Sequence, residues 1–278
     1  MEDNKSVAEN LIKKRFNRDV KIKENDIPDE ILSILSYGSC RNFSSELISP
    51  QTLELLYYAA FSAPSKSDLQ QCDIVEVSDG EILDKMAKLI PTMKWVENAP
   101  LILIFCGNGS RIREICKLQN KEFRNEHFDS FVNPVVDASL VMMNFIRAAN
   151  ALNLGTCPIS HIRNNASAIS TLLKIPENNF ILNGLAVGIP KQEKKIKMRL
   201  PLEITVHKNQ YNDRNIQFLL EDYDNDKINN GEFSNKERNP EKFQPVKKYG
   251  WLEDKSRQFS QTEREDYHKY LKSQEIPI

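Results

Sequence analysis

The chain has no excess of either charge: 38 Lys and Arg against 39 Asp and Glu leave it at −1 over 278 residues. Without a basic surplus it does not read as a nucleic-acid platform. None of its five cysteines (Cys40, Cys72, Cys106, Cys116, Cys157) is spaced C-x-x-C, and their number is odd. That argues against a disulfide framework or a zinc site and favours a reducing cytosol. His127, His161, His207 and His268 are scattered without ligand spacing, so none is read as a metal ligand. No serine or cysteine sits in a nucleophile-elbow pattern. The start, MEDNKSVAEN, lacks the basic residues and apolar run of a secretion signal. There is no internal repeat and no low-complexity tract.

What is present centres on Val135–Asn165. Ala138, Met142, Phe145, Ala149 and Leu152 recur at steps of four and three, which places them on one helix face. Val141, Ile146 and Ala148 widen the apolar surface, so the helix is expected to be covered on most sides. Asp137, Asn144, Arg147 and Asn150 interrupt it, whereas a membrane span needs about 20 predominantly apolar residues. Gly155 suits a left-handed cap at its end. A short segment then leads to Arg163 and a second helix near Asn164, an arrangement able to hold a phosphate.

Around this stretch, residues 1–29 read as a polar arm, with SVAENLIKKRF forming a turn and a half on the surface. Residues 29–37 carry Ile31, Ile34 and Leu35 at helical spacing. Ser49-Pro50 is a helix start, serine as cap and proline at the first position. That helix ends near Ala63-Pro64, and Ser65–Gln70 forms a polar loop. Asp73–Val77 alternates as a strand. A helix is expected over 80–90, and LILIFC after Pro100 reads as a strand buried on both faces. Another helix covers 110–122. Phe180–Leu182 and Leu185–Gly188 make a strand pair or one bent strand, and Leu202–Val206 a further strand. Beyond Asn209 the chain is polar until a last helix near 262–272. Strands and helices mix without strict alternation, which favours α+β.

Several segments offer chemistry. Gly107-Asn108-Gly109 follows a strand, but it lacks the third glycine of a dinucleotide fingerprint and reads as an ordinary strand-to-helix turn. Ser39 and Arg41 set a hydroxyl two residues from a guanidinium, which reads by default as a surface arginine and can also grip phosphate through two bonds. Ser65, Ser67, Asp68 and Gln70 gather small hydrogen-bonding groups in one loop, which by themselves read as a solvated connector. A cation at a helix start, as at Arg163, opposes the dipole by about 0.3–1 kcal/mol. Either an anion lies between them or the side chain points into water. Lys191–Arg199 is a charged loop, solvated or able to capture the phosphate of a reducing nucleotide.

In order and spacing these segments resemble the nitroreductase family of FMN-dependent NAD(P)H oxidoreductases, in its branch of oxygen-insensitive NADPH nitroreductases and flavin reductases. Gly38–Phe43 is similar to the family's Arg-Ser-x-Arg-x-Phe motif, with Gly38 in place of arginine. Ala63–Gln70 is similar to its Ala-Pro-Ser-x-x-Asn-x-Gln loop, with Asp68 in place of asparagine. An ionised aspartate cannot donate a hydrogen bond. Leu154–Ser160 with Arg163-Asn164-Asn165, then Gly184–Pro190 and Arg199–Leu202, continue in order. The resemblance spans roughly residues 30–211.

The resemblance implies a nitroreductase-like fold, a central and mostly antiparallel sheet flanked by helices. It implies a homodimer with the long buried helix at its interface. Residues 30–211 would form the FMN-binding domain, and 212–278 a polar extension packing on the dimer. Ser39, Arg41 and Arg163 would bind the flavin phosphate and ribityl chain, and Ser65, Ser67 and Gln70 the ribityl chain or ring edge. Backbone N–H groups around Pro158, Ile159 and Ser160 would face the ring, and Arg199 would meet the 2′-phosphate of NADPH. Hydride would pass from NADPH through flavin N5 to a nitroaromatic, quinone or similar acceptor in ping-pong fashion, with no catalytic side chain demanded. Two other outcomes fit the same residues: a reductase supplying free reduced flavin, or an FMN-binding storage or sensor protein without turnover.

Overall fold

The computed structural model describes residues 3–24, 26–233 and 237–278. Met1, Glu2, Asn25 and residues 234–236 lie outside these, and with them parts of the expected arm (1–29) and extension (212–278). In chain order the elements are α1 (Asn4–Phe16), α2 (Asp29–Ser36), α3 (Pro50–Phe61), β1 (Cys72–Val77), α4 (Gly80–Lys88), β2 (Leu101–Asn108) and α5 (Ser110–Leu118). There follow α6 (Asp129–Ala151), β3 (Gly155–Ile159), α7 (Ala166–Leu173), β4 (Asn179–Gly188), α8 (Leu202–Thr205), α9 (Ile216–Asn229), α10 (Trp251–Phe259) and α11 (Tyr267–Ser273). They group into two units, Met1–Ser36 with Ile196–Glu263, and Tyr37–Lys195 with Arg264–Ile278. These boundaries differ from the expected divisions at 29/30 and 211/212, which rested on the polar arm and on the span of the resemblance.

The larger unit holds a four-stranded sheet in the order β1-β2-β4-β3, each neighbouring pair antiparallel. The expected antiparallel sheet flanked by helices is what forms. β2 shows why its apolar run is continuous: alternate residues serve opposite faces. Ile102, Ile104 and Cys106 enter a core with Met86 of α4, Ile169 of α7 and Tyr270 of α11. Leu101, Leu103 and Phe105 enter a second core with Leu56 of α3 and Ala138, Phe145 and Ala149 of α6. Phe105 meets Phe145 edge-on, ring centroids 6.4 Å apart. A fully buried Leu or Phe contributes about 1.5–3 kcal/mol, so this strand holds both helical layers to the sheet. The two apolar runs of residues 180–188 form one strand. Its register shifts opposite Phe105/Cys106, where Phe105 pairs with Asn183 and Cys106 with Ile181, bulging Leu182.

α6 departs from the expectation in two respects. It is buried along Ala138, Val141, Phe145, Ile146 and Ala149, but Val136, Leu140 and Met143 are exposed. A single chain therefore covers one side of this helix. Its left-handed cap is also not Gly155. Asn153 takes φ 60°, and the Leu154 N–H bonds back to the Ala149 carbonyl at 2.8 Å. This is the 6→1 closure in which asparagine can replace glycine. Gly155 instead begins β3, where an added Cβ would lie 2.6 Å from the Cys40 Cβ.

In the smaller unit, α1 spans 13 residues rather than a turn and a half, capped by Asp3 accepting from the Ser6 N–H. Arg15 is buried and donates from Nε to the Leu35 carbonyl at 2.9 Å. α1 thus docks through an alanine and an arginine, which apolar periodicity does not reveal. Leu202–Val206 is not a strand. After Pro201 it winds into the single helical turn α8, closed by Val206 N–H to Leu202 O at 2.8 Å. α9 and α10 were not expected, and Tyr223 packs edge-on against Trp251 between them. No helix among the described residues is long and apolar enough to cross a membrane.

Candidate functional site

The Ser39–Arg41 segment is fastened to edge strand β3. The Cys40 N–H donates to the Thr156 carbonyl at 2.9 Å, and the Cys40 side chain fills the space left open by Gly155. Burying Cys40 turns Ser39 and Arg41, on either side of it, outward, and both are exposed. They reach Cys157 on the same strand. Burial pushes the Cys157 thiol up, while the Arg41 charge and hydrogen bonds from Arg41 and Ser39 pull the other way. Arg41 lies 5.9 Å over the Trp95 ring and has no carboxylate partner among the described residues. Gly38 is required by close approach: a Cβ there would sit 2.5 Å from the Lys195 carbonyl oxygen. No larger residue fits without moving that backbone.

Lys194, read from sequence as part of a solvated loop, is half-buried. Its Nζ donates to Asn150 Oδ1 at 2.5 Å and to the Leu154 carbonyl at 3.3 Å. It so neutralises the C-terminal end of α6, and burial lowers its pKa.

β3 carries the next expected residues. Pro158 stands opposite Leu185 and Ile159 opposite Gly184. Pro158 has no N–H to donate, and the Ile159 side chain is wholly in the core. The Ile159 amide, paired opposite Gly184, faces β4, so any ligand contact here falls to the amide and the exposed side chain of Ser160. Arg163 follows in a 3₁₀ turn, Ser160–Asn165. It is half-buried, and its Nη1 donates to the Leu182 carbonyl at 2.7 Å. Its guanidinium lies 5.8 Å from the Tyr267 ring. The anion-like partner of this cation is thus the carbonyl of the β4 bulge. Beyond the end of β3, side chains complete the pairing of β4. Tyr267 Oη donates to Ile181 O at 2.7 Å, and Tyr270 Oη accepts from Ile181 N–H at 3.0 Å.

The Ser65–Gln70 loop precedes β1, at the opposite edge of the sheet. Its Lys66–Asp68 portion is a 3₁₀ turn, and Ser67, Asp68 and Gln70 all take left-handed φ, 50–57°. Such conformations in non-glycine residues are costly and cluster at binding sites. Ser65 faces inward. Its Oγ donates to Asp137 Oδ2 at 2.8 Å and accepts from the Gln70 N–H at 2.8 Å. Lys66, Ser67, Asp68 and Gln70 are exposed, with Gln70 Nε2 donating to Asp68 Oδ1 at 2.9 Å. Asp137, seen in sequence only as a break in the apolar helix, was missed as part of this loop. A carboxylate three residues past Pro134 and four before Val141, both buried on one face, was the available signal.

Arg199 belongs to the smaller unit, where its backbone N–H donates to the Arg15 carbonyl at 2.7 Å. One chain thus brings together Ser39, Arg41 and β3, with Arg163 at the end of that strand. It sets Ser65–Gln70 apart from them by the width of the sheet.

Comparison with known proteins adds a second line of observation. Residues 36–189 match the model of the Nitroreductase family. The chain is 32% identical over 186 residues to an NADPH-flavin oxidoreductase of Vibrio harveyi, covering 67% of this chain and 76% of that one. It is 32% identical over 178 residues to an oxygen-insensitive NADPH nitroreductase of Salmonella typhimurium, covering 64% and 72%. Among solved structures it superimposes on nitroreductase A from Vibrio parahaemolyticus with a TM-score of 0.78 and 29% identity, covering 90% of this chain and 98% of that one.

Proposed function

The chain belongs to the nitroreductase family, and from that premise we propose that it is an FMN-dependent oxidoreductase. It takes hydride from NAD(P)H, NADPH being favoured, and passes electrons to a nitroaromatic, quinone or similar acceptor by a ping-pong route. The observation that carries this reading is the Ser39–Arg41 pair on β3. An exposed guanidinium with no carboxylate partner among the described residues stands beside a hydroxyl. That donor set suits a phosphate, which accepts two parallel bonds from arginine.

Bound FMN would supply the hydride-accepting ring. Ser39 and Arg41 hold its phosphate, and the amide of Ser160 faces the ring. Ser67 and Gln70 meet the ribityl chain or ring edge, while Ser65 shapes their loop from within. Arg163 stiffens the end of β3 and adds positive charge there. Arg199 meets the nucleotide 2′-phosphate. No side chain is asked to move a proton or form a bond. These residues bind, orient and exclude water.

β1 and β3 are separated by two strands, roughly 14 Å at about 4.8 Å per strand. One copy therefore does not turn both loops toward a single flavin. We place the Ser65–Gln70 loop of a second copy across from Ser39–Arg41 of the first, in a homodimer. Support comes from the apolar face left uncovered on adjoining α3 and α6: Leu55, Tyr58 and Phe61 with Val136, Leu140 and Met143. Obligate dimers typically bury about 2,000–5,000 Å² in such faces.

The deciding experiment is the absorption spectrum of the purified protein before and after anaerobic NADPH. A yellow protein that bleaches supports the proposal, and a colourless one that cannot be reconstituted with FMN overturns it. Retained colour without bleaching selects a storage or sensor role. Turnover with free FMN far above that with nitrofurazone or menadione selects the supply of reduced flavin.

A further inference from the structure

Asp137 is 2% exposed, in the third turn of α6, with no lysine or arginine paired to it among the described residues. A buried carboxylate without a counter-ion is costly unless its oxygens accept several hydrogen bonds. Asp137 accepts three, all from one loop. Oδ2 takes the Ser65 Oγ–H at 2.8 Å and the Gln71 N–H at 3.0 Å, and Oδ1 takes the Lys66 N–H at 3.1 Å. Two of these donors stand where the loop begins and one where it ends. The carboxylate therefore pins both ends of a five-residue excursion to a rigid helix. Ser65 carries the constraint inward by accepting the Gln70 N–H. The excursion it holds contains three left-handed, non-glycine residues, Ser67, Asp68 and Gln70. Loops with that much unfavourable backbone keep one conformation only when their surroundings over-determine them.

We infer that Asp137 is the positioning residue of the flavin-binding loop: it touches no ligand, and through Ser65 it sets the conformation in which Ser67 and Gln70 are presented. This inference rests on the proposed FMN reading for the loop's purpose, but not for the clamp itself. Asparagine in its place keeps the shape but turns an N–H₂ donor toward at least one N–H or O–H of the loop.

The test uses the full chain with Asp137→Asn, Ser65→Ala and the double variant. FMN affinity is read by fluorescence quenching, and loop order by amide hydrogen exchange without ligand. Loss of a hydrogen bond to a charged group corresponds to roughly a tenfold to hundredfold change. Asp137→Asn is expected to weaken FMN binding by that factor and Ser65→Ala by about threefold to tenfold. The double variant is expected within twofold of Asp137→Asn, because the two act in series. Exchange should quicken in residues 64–72 and stay unchanged across β2 and the rest of α6. At saturating FMN, the visible absorption band of the bound flavin should shift in both single variants.

Unchanged affinity in a folded Asp137→Asn chain overturns the inference, as does quickened exchange spread over α6 and the sheet, or additive effects in the double variant. Should Asp137→Asn fail to fold, Ser65→Ala alone decides: no weakening and no local exchange change overturn it. A wild-type chain that binds no FMN overturns the flavin reading instead, and the exchange arm then judges the clamp by itself.

Discussion

Arg163 gives the sharpest quantitative expectation, because the sequence left two opposite readings of it open. Its Nη1 bonds the Leu182 carbonyl at 2.7 Å, at a bulge past the last β3 pair, Ile159 with Gly184. Replacing it with alanine removes a charge-assisted hydrogen bond, worth about 1.5–3 kcal/mol. It also removes a cation–π contact that, at 5.8 Å and near the useful limit, adds about 0.5 kcal/mol. Half-exposure admits water to the freed carbonyl, so the lower part of the range applies, about 2 kcal/mol. For a domain of this size each 1 kcal/mol moves the melting temperature by about 2–4 °C. We expect Arg163→Ala to lower the Tm of the FMN-free protein by about 4–8 °C in scanning calorimetry, and Arg163→Lys to recover part of it. Tyr267→Phe, which removes the neighbouring bond to Ile181 O, should cost about 1 kcal/mol. If Arg163→Ala leaves the Tm within 1 °C of wild type while FMN affinity falls a hundredfold, the reasoning is refuted. The guanidinium would then serve the ligand rather than the bulge.

Four further outcomes are open to measurement. Arg41→Ala should weaken FMN binding by roughly one to two orders of magnitude, the equivalent of a charge-assisted bond; an unchanged dissociation constant removes Arg41 from the site. Arg199→Ala should raise the KM for NADPH with little effect on NADH, and equal effects on both would detach it from the 2′-phosphate. Gly38→Ala should destabilise the chain by about 1–3 kcal/mol through overpacking on the Lys195 carbonyl, read as a lowered urea midpoint. The pKa of Glu232 is lowered on folding: burial raises it, but the hydrogen bond and charge of Lys227, the Met198 N–H and Lys197 outweigh burial. Its contribution is therefore present above the ordinary glutamate pKa of about 4.3. That contribution is lost as pH falls through the lower folded value. Glu232→Gln should lower the Tm at pH 7 and converge with wild type in acid, whereas parallel curves would contradict this.

What could be read from sequence depended on which force built each element. β1, β2 and β4 and the Ser49-Pro50 helix start were legible because short alternating or continuous apolar runs mark strands and caps are local. α9 and α10 were not, because their core is made of charge. Asp224, Lys227, Asp254 and Arg257 are all buried there, and Arg257 pairs with Glu253 and Glu237. Hydropathy reads such residues as surface. Leu202, Ile204 and Val206 alternate like a strand, yet Leu202 and Val206 also stand one helical turn apart and both remain exposed. With no pairing partner among the described residues to reward extension, the local turn after Pro201 prevails. The same limit hid both polar features of the site. Asp137 looks like an interruption until the loop 66–72 residues earlier in the chain is folded onto it. Arg163 looks like a cation in want of an anion until β4 slips one residue against β2 and turns the Leu182 carbonyl toward it. Apart from the Ser65 hydroxyl, the partners are backbone groups, the Lys66 and Gln71 amides and the Leu182 carbonyl, which carry no sequence signature. Side-chain pattern can locate a polar residue that needs satisfying, and only the register of distant segments decides whether protein or ligand satisfies it.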